Sequence, residues 1–180
     1  MKVQSLLAAV ALACAALGGP ASAANISHPD QALTLVDGTA GFSAAFAAGN
    51  FDNTFADHYT FTIPGPLDSL VDALVGSIAH SATVGLEITA FDLFTSGGTQ
   101  VGTGAMQQSG MIDLWTIGVS PGLAPGDYYV QVSGRLVSDT SGSYGGNLNL
   151  TPVPEPGMYA MTLAGLGVVG LTFVRRRKRA

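Results

Sequence analysis

Apolar residues are distributed along this chain in three different ways. Near the start, Leu6 to Leu17 is an unbroken apolar run. Near the end, 157–174 carries no charge at all. Between them the apolar runs are short, alternate with polar residues and are cut by Gly and Pro. Period-two alternation puts successive side chains on opposite faces of a strand. The clearest case is Phe55 to Ile63, with Phe55, Asp57, Tyr59, Phe61 and Ile63 on one face and Ala56, His58, Thr60 and Thr62 on the other. Pro64-Gly65-Pro66 ends it. Further strands are predicted over Leu33–Val36 (closed by Asp37-Gly38), Leu86–Phe94, Met111–Val119, Asp127–Gly134 and Gly145–Leu150, with Pro121 to Gly126 as a turn-rich link. The segment 68–80 fits a helical face as well as a strand. Gly76 and the surrounding β pattern tip it towards strand. The expected fold is all-β: one antiparallel, jelly-roll-like β-sandwich over 24–150.

The two flanking runs read as targeting segments. Lys2, the apolar run and Ala21-Ser22-Ala23 make a signal peptide over 1–23, cut after Ala23. Ala11-Leu12-Ala13-Cys14 faintly resembles a lipoprotein signal, but Ala11 departs from the usual Leu and a cut there would truncate the apolar run. The C-terminal segment, 151–180, has three parts. Val153-Pro154-Glu155-Pro156 stays extended because proline fixes φ and lacks an N–H. The uncharged 157–174 would span about 27 Å as a transmembrane helix. Arg175, Arg176, Arg177, Lys178 and Arg179 form a stop-transfer tail that stays on the cytoplasmic side.

Charge separates the central domain from its ends. Between residues 24 and 150 there are eleven Asp and Glu against one cation, Arg135, a net of minus ten with His neutral. Nucleic acid is therefore disfavoured as a partner, whereas divalent cations and cationic surfaces are allowed. The domain contains no cysteine and hence no disulfide. Catalytic patterns are also missing from the sequence: His28, His58 and His80 are scattered, and no G-x-S-x-G elbow occurs. Gly97 to Gly104 lacks the lysine of a phosphate loop and reads as a flexible hairpin connection. The expectation is a non-enzymatic protein, although carboxylates paired only by the fold stay open.

Asp57 stands out because alternation places it among large apolar residues. A buried carboxylate needs partners. It could accept backbone N–H bonds from a neighbouring loop, join Asp52 and Asn53 as candidate ligands of a Ca²⁺ ion, or sit on a face open to water. Trp115 shares its face with Met111, Ile117 and Val119 and reads as core, leaving Tyr128, Tyr129 and Tyr144 as candidates for exposed rings that stack on sugars.

The order of Pro154-Glu155-Pro156, helix and basic tail resembles the PEP-CTERM sorting signal of Gram-negative bacteria that make exopolysaccharide. Phe55-Ala56-Asp57-His58-Tyr59 is similar to the motif of the FxDxF group of such proteins, with Tyr59 where the motif has Phe. The downstream stretches Leu123–Gly134 and Ser143–Leu148 also look typical of that group. The resemblance implies an exported protein, held in the inner membrane until an exosortase-type enzyme processes it. Its destination would be the cell surface or extracellular matrix, in association with exopolysaccharide or biofilm. The alternative is a carbohydrate-binding sandwich, with Ca²⁺ as a candidate cofactor.

Overall fold

The computed structural model describes residues 23–78, 83–153, 157 and 160–167. Among these described residues, ten strands form two five-stranded sheets. Sheet A has the order β1 (Gln31–Ala32), β3 (Thr54–Ile63), β9 (Gly126–Leu136), β5 (Leu86–Thr95), β6 (Gln100–Thr103). Sheet B has the order β2 (Thr39–Phe46), β10 (Gly142–Pro152), β4 (Ser69–Ile78), β8 (Ile112–Leu123), β7 (Ala105–Gln108). Apart from the parallel β1–β3 pair, every pairing between these strands is antiparallel. The order β2-β10-β4-β8 over β3-β9-β5-β6 follows the jelly-roll pattern. The sandwich expected from the sequence is present, and its last strand runs two residues past the predicted boundary at 150.

The best predicted strand is β3. Its five odd-numbered residues are buried, and the four between them face outward. Segment 69–78 is strand, with Val71, Ala73 and Val75 in the core and Leu74 exposed. Residues 79–80 lie outside the described residues, as does His80. In β5, simple alternation fails. The register slips between Ile88 and Ala90, so Thr89 has no partner on β9. Leu86 and Ile88 before the bulge and Phe91 and Leu93 after it therefore all face the core.

Several predicted boundaries need correction. Leu33–Val36 is not a strand. Val36 and Thr39 exchange both backbone hydrogen bonds across Asp37-Gly38, whose φ angles of 50° and 80° make a two-residue hairpin turn. That turn leads into β2, which the sequence hid because Thr-Ala-Gly-Phe-Ser-Ala-Ala-Phe is mostly small residues. Strand β8 continues through Pro121 and Gly122 to Leu123, leaving Ala124 and Pro125 as the link. The Gly97–Gly104 stretch is more ordered than a flexible connection. After a turn at 96–99, β6 pairs with β5, and beyond Gly104 the chain continues as β7 on sheet B. At that crossing a Cβ would collide with the Phe91 carbonyl.

Trp115 is half-buried and packs against the core with Ile117 and Val119, as expected, but Met111 at the strand entrance is exposed. Beyond β10, 160–167 is helical and exposed. No helix among the described residues is long and apolar enough to cross a membrane. Most of the predicted membrane helix over 157–174 lies outside the described residues.

Two aromatic–glycine pairs shape the core. Phe55 on β3 lies opposite Gly134 on β9, and Phe42 on β2 lies opposite Gly146 on β10. Each ring fills the space that a Cβ on its glycine would occupy. Gly134→Ala and Gly146→Ala should each cost about 1–3 kcal/mol through overpacking. Gly145→Ala, where the nearest atom to a new Cβ is 3.8 Å away, should be nearly neutral. Urea midpoints of the three variants check this.

Candidate functional site

Asp57 is 1% exposed on the inner face of β3, and its carboxylate is fully engaged. The backbone N–H of His28, in the segment leading to β1, donates to Oδ1 at 2.7 Å. On the opposite sheet, the Tyr144 hydroxyl of β10 donates to Oδ2 at 2.6 Å. His28 Nδ1 also meets Oδ2, at 3.1 Å. Because the Tyr144 proton is committed to Asp57, the Tyr59 hydroxyl must be the donor in the 2.9 Å contact between the two tyrosines. The hydroxyl that distinguishes Tyr59 from phenylalanine thus has a buried partner. Phe55 completes the group, its ring stacking on Tyr144 at 5.6 Å and meeting Phe46 at 4.5 Å. Phe55, Asp57 and Tyr59 together join sheet A, sheet B and the N-terminal segment. Of the readings open for Asp57, the backbone-bonded carboxylate is the one seen.

A second buried aspartate mirrors the first. Asp113 of β8, 5% exposed, reaches from sheet B to sheet A and accepts the N–H of Ile88 at 3.0 Å. It also accepts from Ser77 Oγ at 3.4 Å and from Gly110 N at 3.2 Å. The Ile88 N–H lies at the β5 bulge, where the ladder slips. Sequence reasoning missed Asp113, although its odd number puts it on the face of Trp115, Ile117 and Val119.

The other predicted site residues are less concentrated. Asn53 Oδ1 accepts the Ala24 N–H at 2.8 Å, Asn53 Nδ2 donates to Asn50, and Asp52 is exposed in a turn with φ of 60°. The Asn53 and Asp57 oxygens proposed for Ca²⁺ thus already accept protein donors. Among the described residues no group of three or more His, Cys, Asp or Glu is arranged to hold a metal ion. Ala23 is exposed, whereas Ala21 and Cys14 lie outside the described residues. So do Pro154, Glu155, Pro156 and Arg175, Arg176, Arg177, Lys178 and Arg179. Val153, which precedes the box, donates its N–H to the Asp68 carbonyl at 2.8 Å.

The tyrosines expected to be exposed divide. Tyr128 and Tyr144 are buried; Tyr129 is half-buried on the outer face of sheet A. There Tyr129 stacks on Phe94 of β5 (5.1 Å, 14°) and meets His58 of β3 at 4.7 Å. The result is a row of three rings across three adjacent strands. His58 is braced by Asp30 at 3.2 Å and Gln131 at 3.1 Å. Beside the row, a groove of about 570 Å³ runs along β1, lined by Asp30, Leu33, Leu35, Thr60, Asp127 and Tyr129 among others.

Burial first, then the bonds to Asp57 and Tyr59, pushes the Tyr144 hydroxyl well above the usual phenol range. Tyr59 is also raised, chiefly by burial. The unfolded phenols ionise near 10.0 while the native ones stay neutral. The native state then binds more protons, so this contribution is complete below that pH and is lost as pH climbs above it. The urea midpoint should fall between about pH 9 and about pH 11, and fall less in Tyr144→Phe. At neutral pH, Asp57→Asn should cost about 3 kcal/mol, because a carboxamide cannot accept from all three donors.

Comparison with known proteins adds three findings. No curated relative matches the chain. Among solved structures, the chain is similar to Aeromonas hydrophila PliG, a periplasmic lysozyme inhibitor of g-type lysozyme, at 14% identity and a TM-score of 0.43, covering 71% of this chain and 100% of that one. Residues 152–178, which begin at the last residue of β10, match the model of the PEP-CTERM protein-sorting motif. The chain therefore carries a PEP-CTERM protein-sorting motif, the mark of an exported protein sorted by an exosortase-type enzyme.

Proposed function

We propose that this is a non-enzymatic protein of the cell surface or extracellular matrix, delivered by exosortase-type processing and associated with exopolysaccharide or biofilm. The observation that carries the reading is the sorting motif at 152–178, which starts where the last strand of an acidic β-sandwich ends. Before processing, the uncharged 157–174 holds the chain in the inner membrane with the sandwich outside and the tail at Arg175–Arg179 inside. Processing near Pro154-Glu155-Pro156 frees the sandwich from the segment that retains it.

A second reading, a carbohydrate-binding module, is favoured by one feature. The row of Phe94, Tyr129 and His58 sits on a sheet face whose neighbours are mostly hydroxyls, carboxamides and carboxylates. Aromatic faces suit the apolar side of a sugar ring.

Intact mass of the protein recovered from its native host tests the sorting. The expected species begins at Ala24 and lacks the tail from Arg175 to Arg179. Recovery at full abundance with the tail intact would sink the processing step and leave a plain anchor. Replacing all five tail cations with neutral residues should loosen membrane retention, read by fractionation and by protease access to the C-terminus.

A further inference from the structure

The outer face of sheet A combines three properties. First, it has an aromatic row, with Tyr129 stacked on Phe94 and His58 tilted by 42° to Tyr129. Phe94 and Tyr129 are direct cross-strand partners, and Tyr129 lies opposite Thr60, between His58 and Thr62 on β3. Second, it has a groove large enough for one or two sugar rings, about 570 Å³. Third, its carboxylates outnumber its cations. Asp30 and Asp127 line the groove, and Arg135, the one cation between residues 24 and 150, is paired with Glu87 at 2.8 Å. With no lysine in that span and His58 already held between Asp30 and Gln131, the groove offers no uncommitted cation to a uronate, sulfate or phosphate. A ligand with donors and positive charge suits it instead. Carboxylates accept strongly from ammonium and hydroxyl groups, and an ammonium is attracted to a ring face.

The geometry points to a saccharide subsite in this groove, selective for a glycan that carries free amino groups. Tyr129, braced between Phe94 and His58, supplies the aromatic wall of the groove. Asp127, held by the Thr62 hydroxyl at 2.7 Å, and Asp30, held against His58 at 3.2 Å, accept from the sugar's ammonium and hydroxyl groups. Leu33 and Leu35, in the segment that follows β1, form the apolar wall. This assignment rests on the carbohydrate-binding reading and gives that reading a place and a ligand class.

An acidic domain attracts any polycation, so the test must separate a site from a field. The full-length chain in non-ionic detergent is titrated with a glucosamine hexamer, its N-acetylated counterpart and a uronate oligomer. The glucosamine hexamer should bind most tightly and the uronate oligomer should not bind. Tyr129→Ala and Asp127→Asn should each weaken the glucosamine hexamer about tenfold. Asp139→Asn removes the same charge beyond the opposite end of β9 and should change little. Tyr129→Phe keeps the ring and should keep most of the affinity. Unchanged melting temperatures establish that the variants fold. Equal weakening in Asp139→Asn and Asp127→Asn, or no loss in Tyr129→Ala, would overturn the subsite. Tighter binding of the uronate or N-acetylated oligomer would overturn the amine selectivity. None of these results touches the sorting proposal, which is read by mass and fractionation.

Discussion

Two buried carboxylates set the terms on which the sheets of this sandwich come together. Apolar packing between sheets is non-directional and would tolerate sliding. Asp57 and Asp113 do not tolerate it, because each is paid for by donors on the opposite sheet. Asp57 needs the Tyr144 hydroxyl of β10 and the backbone N–H of His28. Asp113 needs the Ile88 N–H, which the bulge in β5 makes available. The two bonds run in opposite directions, one from sheet A to B and one from B to A. A slip of either sheet would strand a charge in the core, where uncompensated burial is among the costliest errors a fold can make. The sheets are thus positioned as well as held together.

How far the fold could be read from the sequence depended on which residues carried the pattern. β3 was fully legible: Phe55, Tyr59, Phe61 and Ile63 are large, β-prone and spaced by two, and Asp57 was visible by contrast with them. β2 was not legible, because it has two large residues among six small ones and its strand character comes from pairing with β10. The bulge at Thr89 could not be seen, since both Leu86-Ile88 and Phe91-Leu93 look regular by themselves. The candidate site was half legible. Asp57 and its need for donors were on the page, but Tyr144 lies 87 positions along the chain and only folding joins them. The sandwich buried two of the three tyrosines expected outside, because Tyr128 shares a face with Val130 and Val132, and Tyr144 is called inward by Asp57.

The same economy governs the surface. Outward positions on sheet A are cross-linked pairwise, Thr62 to Asp127, His58 to Gln131 and Arg135 to Glu87, so that face is an ordered polar lattice with rings set into it. Side chains already fixed by neighbours lose little freedom when something binds, so less of any contact energy is spent on ordering. The outward polar lattice and the inward lock therefore share one strand, β3, with His58 and Thr62 in the first and Asp57 and Tyr59 in the second, at alternate positions.

One feature of sheet B bears on mechanics. The polypeptide leaves the sandwich through β10, which is hydrogen-bonded to β2 on one side and to β4 on the other, with the Val153–Asp68 bond closing its end. A pull on the chain beyond Val153 is directed along that strand, across hydrogen bonds that lie perpendicular to it. Such a load shears both ladders at once instead of unzipping them bond by bond. A domain tethered by an edge strand would peel. Here the chain runs on towards its sorting motif from an interior strand, so a load applied at that end is shared by two ladders from the outset.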